Sequence, residues 1–187
     1  MRHVAVPYDS EESFVTLTVP RVRSALDEGR QVLVVTGAAK LGLLAAALGP
    51  DAARIDSRSP AAWYAHPYRM LAACHDYTRG RSTLVIAEPS WTGMSERDIR
   101  ELIRCDSVIN AALHRAAAIV MCPYDVRRAP EPVVAYGPVI HPALLGADGE
   151  VTSTRFVPRT TWCSTATTHP CPRPRPTPRG SASPAAS

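Results

Sequence analysis

The sequence predicts an α/β fold with a mostly parallel central sheet and helices on both faces. Short apolar runs alternate along the chain with longer amphipathic segments, which is the pattern of βαβ units. The clearest run, residues 117–121, stops at Cys122-Pro123-Tyr124-Asp125, as expected for a buried central strand. Ligands of such sheets usually bind just outside the carboxyl ends of the strands. Function is therefore expected near Cys122, Tyr124 and Asp125.

Three strands and three helices are predicted before residue 80. The strands are short apolar runs that end in turn residues, and they cover residues 3–6, 31–36 and 53–56. The helices carry apolar residues at helical spacing, and they cover residues 10–28, 41–48 and 60–77. Ser10 is the expected N-cap of the first helix because two glutamates follow it, and Pro20 is expected to kink that helix.

The second half continues the alternation. A strand at residues 82–87 ends at Glu88, and Ser95 with Asp98 forms a capping box for a helix that runs to about Arg115. The strand that ends at Cys122 follows. Between residues 127 and 145 four prolines interrupt the pattern, so any helices there are expected to be short.

Charge is unevenly distributed along the 187 residues. The chain carries 21 basic and 17 acidic residues, but four arginines and no acids follow Pro158, so residues 1–157 carry 17 of each. A neutral body gives no electrostatic basis for binding nucleic acid. No stretch approaches the roughly 18–20 apolar residues of a membrane helix, and the N-terminus lacks a signal peptide, so a cytoplasmic protein is expected.

Two regions are predicted. Residues 1–157 have the composition of one folded domain, whereas residues 158–187 are rich in Pro, Arg and Ser and lack any periodicity. Such a segment has too little apolar surface to form a core, so it is predicted to be a disordered tail.

Polar and aromatic residues follow four of the predicted strands. The carboxyl ends of parallel strands share one edge of a sheet, where these residues are expected to line a pocket for a small, partly apolar ligand. On the long helix, Asp106 and Asn110 are four residues apart and share a face, which contacts either a strand end or solvent. The candidate ligand-binding residues are Tyr8, Glu88, Trp91, Asp106, Asn110, Cys122, Tyr124, Asp125 and His141.

There are two catalytic alternatives to ligand binding. Cys122, His141 and Asp125 are the residue types of a nucleophile, a base and an orienting acid, although a cysteine at the end of a buried strand is commonly a small core residue. Residues 37–42 lie where a phosphate-binding loop would, but Lys-Ser/Thr does not follow Gly42, so nucleotide hydrolysis is not expected. A domain that binds only protein is a third alternative.

No metal site or cofactor is predicted. The five cysteines form no CxxC pair and have no spacing typical of metal ligands. In a reducing compartment they are expected to be free thiols.

Several motifs together resemble one known family. They are Ala87-Glu88-Pro89-Ser90-Trp91, a helix with Asn110, Cys122-Pro123-Tyr124-Asp125 and His141-Pro142. Further marks are His3 with Pro7-Tyr8, the strand after Gly29, and Ala62-Trp63-Tyr64. Across residues 2–157 this combination resembles the MEDS domain, the methanogen/methylotroph sensory domain named after a dichloromethane-responsive repressor.

The resemblance implies a non-catalytic, cytoplasmic sensory domain that binds simple hydrocarbon derivatives. It also implies an ATPase-like α/β core of the RecA/KaiC type without the phosphate-binding loop. In actinobacterial relatives an anti-sigma or histidine-kinase-like domain follows, so a sigma or anti-sigma regulator is an expected protein partner. The sensing residues implied are Glu88, Trp91, Cys122, Tyr124, Asp125 and His141. Cys105-Asp106 departs from the aromatic-Glu pair usual in the family, which changes the reach of the acid.

The tail departs from the family, in which an acidic, proline-rich linker follows the domain. Choosing GC-rich codons for residues 159–172 and reading them in an adjacent frame produces a segment that resembles this linker. The hypothesis is that the tail is a frameshift product that truncates a longer regulator. Sequencing the gene tests it, because an adjacent frame without a linker and ATPase domain would refute it.

Overall fold

The computed structural model describes residues 1–158, in which the apolar runs form strands and the amphipathic segments form helices. The strands are β1 (Arg2–Tyr8), β2 (Gln31–Val35), β3 (Asp56–Arg58), β4 (Thr83–Ala87), β5 (Ala118–Asp125), β6 (Ala143–Gly146) and β7 (Gly149–Thr152). The helices are α1 (Glu11–Asp27), α2 (Ala38–Leu48), α3 (Pro60–Trp63), α4 (Pro67–Thr78), α5 (Glu96–Ala112) and α6 (Glu131–Ile140), and a 3₁₀ helix spans Gly49–Arg54.

The seven strands form one sheet in the order β3-β2-β4-β5-β1-β6-β7. All neighbouring strands are parallel except β6 and β7, which form an antiparallel hairpin at one edge. The predicted α/β class is therefore confirmed. This arrangement is also compatible with the ATPase-like core that the family resemblance implies.

Side chains alternate between the two faces of the sheet, and each face has its own core. On one face, residues such as Val6 and Met121 pack with Phe14 of α1 and Leu44 of α2. The opposite face packs against α4, α5 and α6, with separate clusters around Val120 and around Tyr124. Consecutive residues of a strand therefore belong to different cores.

Capping boxes hold the starts of the two longest helices. Ser10 accepts a hydrogen bond from the backbone N–H of Ser13 in α1, and Ser95 accepts one from Asp98 in α5. Both N-caps were predicted. Pro20 lies on the exposed side of α1, where the helix continues through it.

Several predicted boundaries differ from the structure. The segment at residues 60–77 is two helices, because Pro67 starts α4 and holds the preceding residue His66 in an extended conformation. The strand predicted at residues 53–56 begins at Asp56, since the 3₁₀ helix occupies the preceding residues. The β6–β7 hairpin was not predicted.

No helix in the described part of the chain is both long enough and apolar enough to cross a membrane. The predicted tail, residues 158–187, lies outside the described residues apart from Pro158.

Candidate functional site

A cavity of about 60 Å³ lies at the carboxyl ends of β4 and β5, on the sheet face covered by α4, α5 and α6. Its lining is mostly apolar, with residues such as Val85 and Ile109. Four aromatic side chains contribute to the wall: Trp63, Tyr64, Trp91 and Tyr124. The polar part of the lining is formed by Asp106, Cys122 and His141.

These three polar residues meet His3 in one cluster. His3 Nε2 lies 3.2 Å from Asp106 Oδ1 and 3.3 Å from Cys122 Sγ. Cys122 Sγ is 3.7 Å from the same Asp106 oxygen. His141 Nε2 lies 3.4 Å from the other oxygen, Oδ2, but makes no hydrogen bond with it. The two imidazole rings are in contact, with centroids 4.1 Å apart.

Four separate elements position the cluster. His3 lies on β1 and Cys122 on the neighbouring strand β5, and both side chains point to the face covered by α5. Asp106 lies in the middle of α5. His141 is the C-cap of α6, and its Nδ1 is 2.8 Å from the carbonyl oxygen of Gly137 one turn earlier.

The pKa values of the cluster depend on burial and on the charges within the cluster, above all that of the Asp106 carboxylate. Burial acts to raise the pKa of Asp106, but the nearby His141 and His3 and the hydrogen bonds from His3 and Cys122 have the larger effect, so its pKa is lowered. About a quarter of the Asp106 side chain is accessible, and this residue lines the cavity. Burial and the Asp106 charge raise the pKa of the Cys122 thiol well above its usual value. Burial and His3 lower the pKa of His141 to about 4.

A second polar group lies on the opposite face of the sheet, against α1 and α2. Glu88 is buried and accepts hydrogen bonds from Thr36 Oγ1 at 2.9 Å, Lys40 Nζ at 2.6 Å and the Tyr8 hydroxyl. Lys40 also contacts the Tyr8 hydroxyl and lies over the Phe14 ring. Burial and the hydrogen bond to Glu88 raise the pKa of Tyr8. The polar atoms of this group are therefore paired with one another.

The structure brings five of the nine predicted site residues to the cavity: Trp91, Asp106, Cys122, Tyr124 and His141. Tyr8 and Glu88 belong to the group on the other face. Asp125 is held by Arg127, which donates to its carboxylate from the backbone N–H at 3.0 Å and from the guanidinium at 3.1 Å. These hydrogen bonds lower the pKa of Asp125. Asn110 Nδ2 donates to the carbonyl of Ile140 at 2.9 Å and so ties α5 to α6.

Sequence reasoning did not assign a site role to His3, Trp63 or Tyr64. Each of the three belongs to a motif that carries the family resemblance, but no local sequence pattern indicates that they lie at the site. Strand alternation could have indicated the face of His3, because residues 4 and 6 are apolar and face the α1 side. The catalytic arrangement considered above is not formed, since Asp125 pairs with Arg127 and the carboxylate beside Cys122 is Asp106.

Residues 2–142 match the family described as MEDS: MEthanogen/methylotroph, DcmR Sensory domain. This match covers most of the 187 residues and includes every residue of the cluster. The comparison with curated proteins produced no match.

Proposed function

The chain belongs to the MEDS family of sensory domains, and we propose on that premise that it binds a small hydrocarbon derivative in the cavity at the ends of β4 and β5. The proposal rests chiefly on the character of this cavity. It is lined by aliphatic and aromatic side chains, with a few polar groups in one part of the wall. That combination is typical of sites for small organic ligands.

The volume and one unpaired donor narrow the ligand class. A cavity of about 150 Å³ accommodates benzene, so one of about 60 Å³ suits a molecule of only a few heavy atoms. Trp91 lines the cavity, and its buried indole N–H has no hydrogen-bond partner among the described residues. An acceptor atom on the ligand would satisfy this donor. Short alcohols and haloalkanes have both the size and the acceptor.

The signal would pass through α6 to the end of the domain. Val133, Gly137 and Ile140 of α6 line the cavity. The segment after β7 is bonded to the same helix, because Val157 N donates to the carbonyl of Val139 at 2.9 Å and Ser153 Oγ donates to that of Pro138 at 2.5 Å. A ligand that favours one position of α6 therefore favours one position of this segment. We propose a regulator of the anti-sigma or histidine-kinase type as the recipient, in the cytoplasm.

The alternative functions receive less support. An enzyme that uses Cys122 would need a thiolate, whereas burial raises the pKa of this thiol. A nucleotide binder would need the Lys40 ammonium, which is engaged by Glu88.

Thermal shift with a panel of short alcohols and haloalkanes tests the proposal. We expect one chemical class to raise the melting temperature of the chain. Trp91→Phe keeps an aromatic ring but removes the N–H. It should weaken binding about 10-fold, which is roughly the contribution of one hydrogen bond to the binding free energy. Asp125→Asn lies outside the cavity and should leave binding unchanged.

Two results would contradict the proposal. One is the absence of stabilisation by any compound in the panel. The other is loss of binding in Asp125→Asn but not in Trp91→Phe, which would move the site to the strand end around Asp125.

A further inference from the structure

The cluster of His3, Asp106, Cys122 and His141 presents the donor atoms of a metal site. Two imidazole nitrogens, a thiol sulfur and a carboxylate oxygen all lie within 4.8 Å of one another. Imidazole, thiolate and carboxylate are the ligands of Zn²⁺ in proteins. Because the four residues are far apart in the chain, the sequence shows none of the short spacings of common zinc motifs.

Four of the distances in the cluster are close to the edges of a coordination tetrahedron. Zn–N and Zn–O bonds of about 2.0–2.1 Å and a Zn–S bond of about 2.3 Å place neighbouring ligand atoms about 3.3–3.6 Å apart. His3 Nε2 is 3.2 Å from Asp106 Oδ1 and 3.3 Å from Cys122 Sγ. Cys122 Sγ is 3.7 Å from Asp106 Oδ1, whereas His141 Nε2 is 3.4 Å from the other oxygen, Oδ2. The remaining pairs of ligand atoms lie within 4.8 Å, so a turn of the Asp106 carboxylate or a shift of His141 toward the other two ligands would place four atoms around one ion.

The orientation of His141 independently indicates a cation. This residue is 2% exposed, and its Nδ1 lies 2.8 Å from the Gly137 carbonyl, to which it donates as N–H. In the neutral imidazole, Nε2 then carries a lone pair, and it has no hydrogen-bond partner among the described residues. This nitrogen faces another acceptor, Asp106 Oδ2, at 3.4 Å. Two acceptors that face each other in a buried place are stabilised by a cation between them.

The contact with Gly137 is also the second-shell contact that metal-binding histidines usually make. A hydrogen bond from the other ring nitrogen to a backbone carbonyl orients such a ligand. His3 Nδ1 has no partner of this kind in the described part of the chain, so His141 is the better oriented of the two. A cluster held only by hydrogen bonds explains the contacts of His3 Nε2 but leaves His141 Nε2 unpaired.

We propose that His3, Asp106, Cys122 and His141 bind one divalent transition-metal ion, best suited to Zn²⁺, beside the ligand cavity. This inference concerns the metal alone and does not depend on the identity of the organic ligand. Binding replaces the Cys122 S–H bond by a metal–sulfur bond and releases the thiol proton to solvent.

Titration of the metal-free full chain with Co²⁺ tests the proposal. We expect one Co²⁺ per chain, with a near-ultraviolet thiolate-to-cobalt charge-transfer band and visible d–d bands of tetrahedral intensity, and we expect Zn²⁺ to displace the cobalt. Cys122→Ser should abolish the charge-transfer band and weaken binding at least 10-fold. Cys122→Ala serves as a second variant, and circular dichroism checks that both fold.

Cys74→Ser is the matched control, because Cys74 is also a buried thiol that lines the cavity but lies outside the cluster. It should bind Co²⁺ with the same spectrum as the unaltered chain. A double variant, Cys163→Ser with Cys171→Ser, controls for thiols outside the described residues and should also be unchanged.

Three outcomes would overturn the proposal. They are the absence of a charge-transfer band in the unaltered chain, a band that persists in folded Cys122→Ser, and a band that disappears in the Cys163/Cys171 double variant. Because only a metal is added, these outcomes are independent of any result with alcohols or haloalkanes.

Discussion

Gly137→Ala should destabilise the domain relative to an otherwise equivalent substitution, Gly42→Ala. Both glycines lie inside helices, where alanine is favoured by about 1 kcal/mol. A Cβ at position 42 would have no atom within 4 Å, so Gly42→Ala should stabilise the chain by about 0.5–1 kcal/mol. At position 137 the Cβ would lie 2.6 Å from Tyr124 Oη and 3.0 Å from Cζ, which is closer than packed atoms approach.

The loss of stability expected in Gly137→Ala depends on how the Tyr124 ring responds to the added methyl group. The ring is 5% exposed and lines the cavity, so its free direction of movement is into the cavity. Overpacking of this kind costs about 1–3 kcal/mol, which offsets or exceeds the gain in helix propensity. The two variants should therefore differ by about 1–3 kcal/mol in free energy of unfolding.

Urea denaturation of the two variants measures this difference, and thermal melting should show it as a separation of roughly 2–4 °C per kcal/mol. Because the displaced ring would occupy the cavity, Gly137→Ala should also lose any stabilisation by a small ligand, whereas Gly42→Ala should retain it. Equal stabilisation of both variants would refute the close packing of α6 against Tyr124, and with it the described cavity wall.

Two further predictions concern ionisable groups. Burial and His3 lower the pKa of His141 to about 4, below the value of about 6.5 in the unfolded chain, so the folded chain binds fewer protons between these values. In the metal-free chain, stability should therefore fall by up to about 3 kcal/mol as the pH falls from about 6.5 to about 4, while the facing Asp106 stays ionised. His141→Gln should flatten this slope in urea titrations at stepped pH. Lys40→Met leaves Glu88 without its cation and should lower the free energy of unfolding by about 2 kcal/mol in the same assay. The double variant Lys40→Met with Glu88→Gln should recover most of this loss. A double variant as unstable as Lys40→Met would contradict the pairing.

The α/β class and most elements were predictable because strands and helices differ in period. Continuous apolar runs such as residues 32–35 and 84–87 are buried on both faces, and they appear within strands of the central sheet. The β6–β7 hairpin was missed because its strands are only four residues long and mostly half-buried, so they lack the same signal. The break between α3 and α4 depends on Pro67, whose effect was not separated from the helical pattern around it.

The candidate site was predictable only in part, for a geometric reason. The expectation that polar residues at the strand ends lie close together considered the edge of the sheet but not its two faces. Glu88 follows Ala87, which faces the α4 and α5 side, and Glu88 itself contacts Lys40 on the α2 side. Cys122 and Tyr124 are two residues apart and therefore face the cavity together.

The partners of buried polar groups were not predictable from spacing. His3 and His141 are 138 positions apart, and their rings meet because β1 lies between β5 and β6 while α6 ends beside it. The sequence predicts either an inward or a solvated face for Asp106, and the structure shows its carboxylate beside both histidines. Such contacts depend on strand order and helix packing, which a single sequence does not specify locally.

Helix α6 is where the cavity, the metal-type cluster and the end of the domain meet. Gly137 packs against Tyr124 in the cavity wall, and its carbonyl accepts the hydrogen bond that orients His141. The next residues, Pro138 and Val139, accept hydrogen bonds from Ser153 and Val157. A ligand in the cavity and an ion in the cluster would therefore act on the same turn of helix, so each should alter the affinity for the other by the same factor. A small sensory domain needs such a shared element. If the cavity were structurally independent of the segment after β7, a ligand could bind without changing anything outside the cavity.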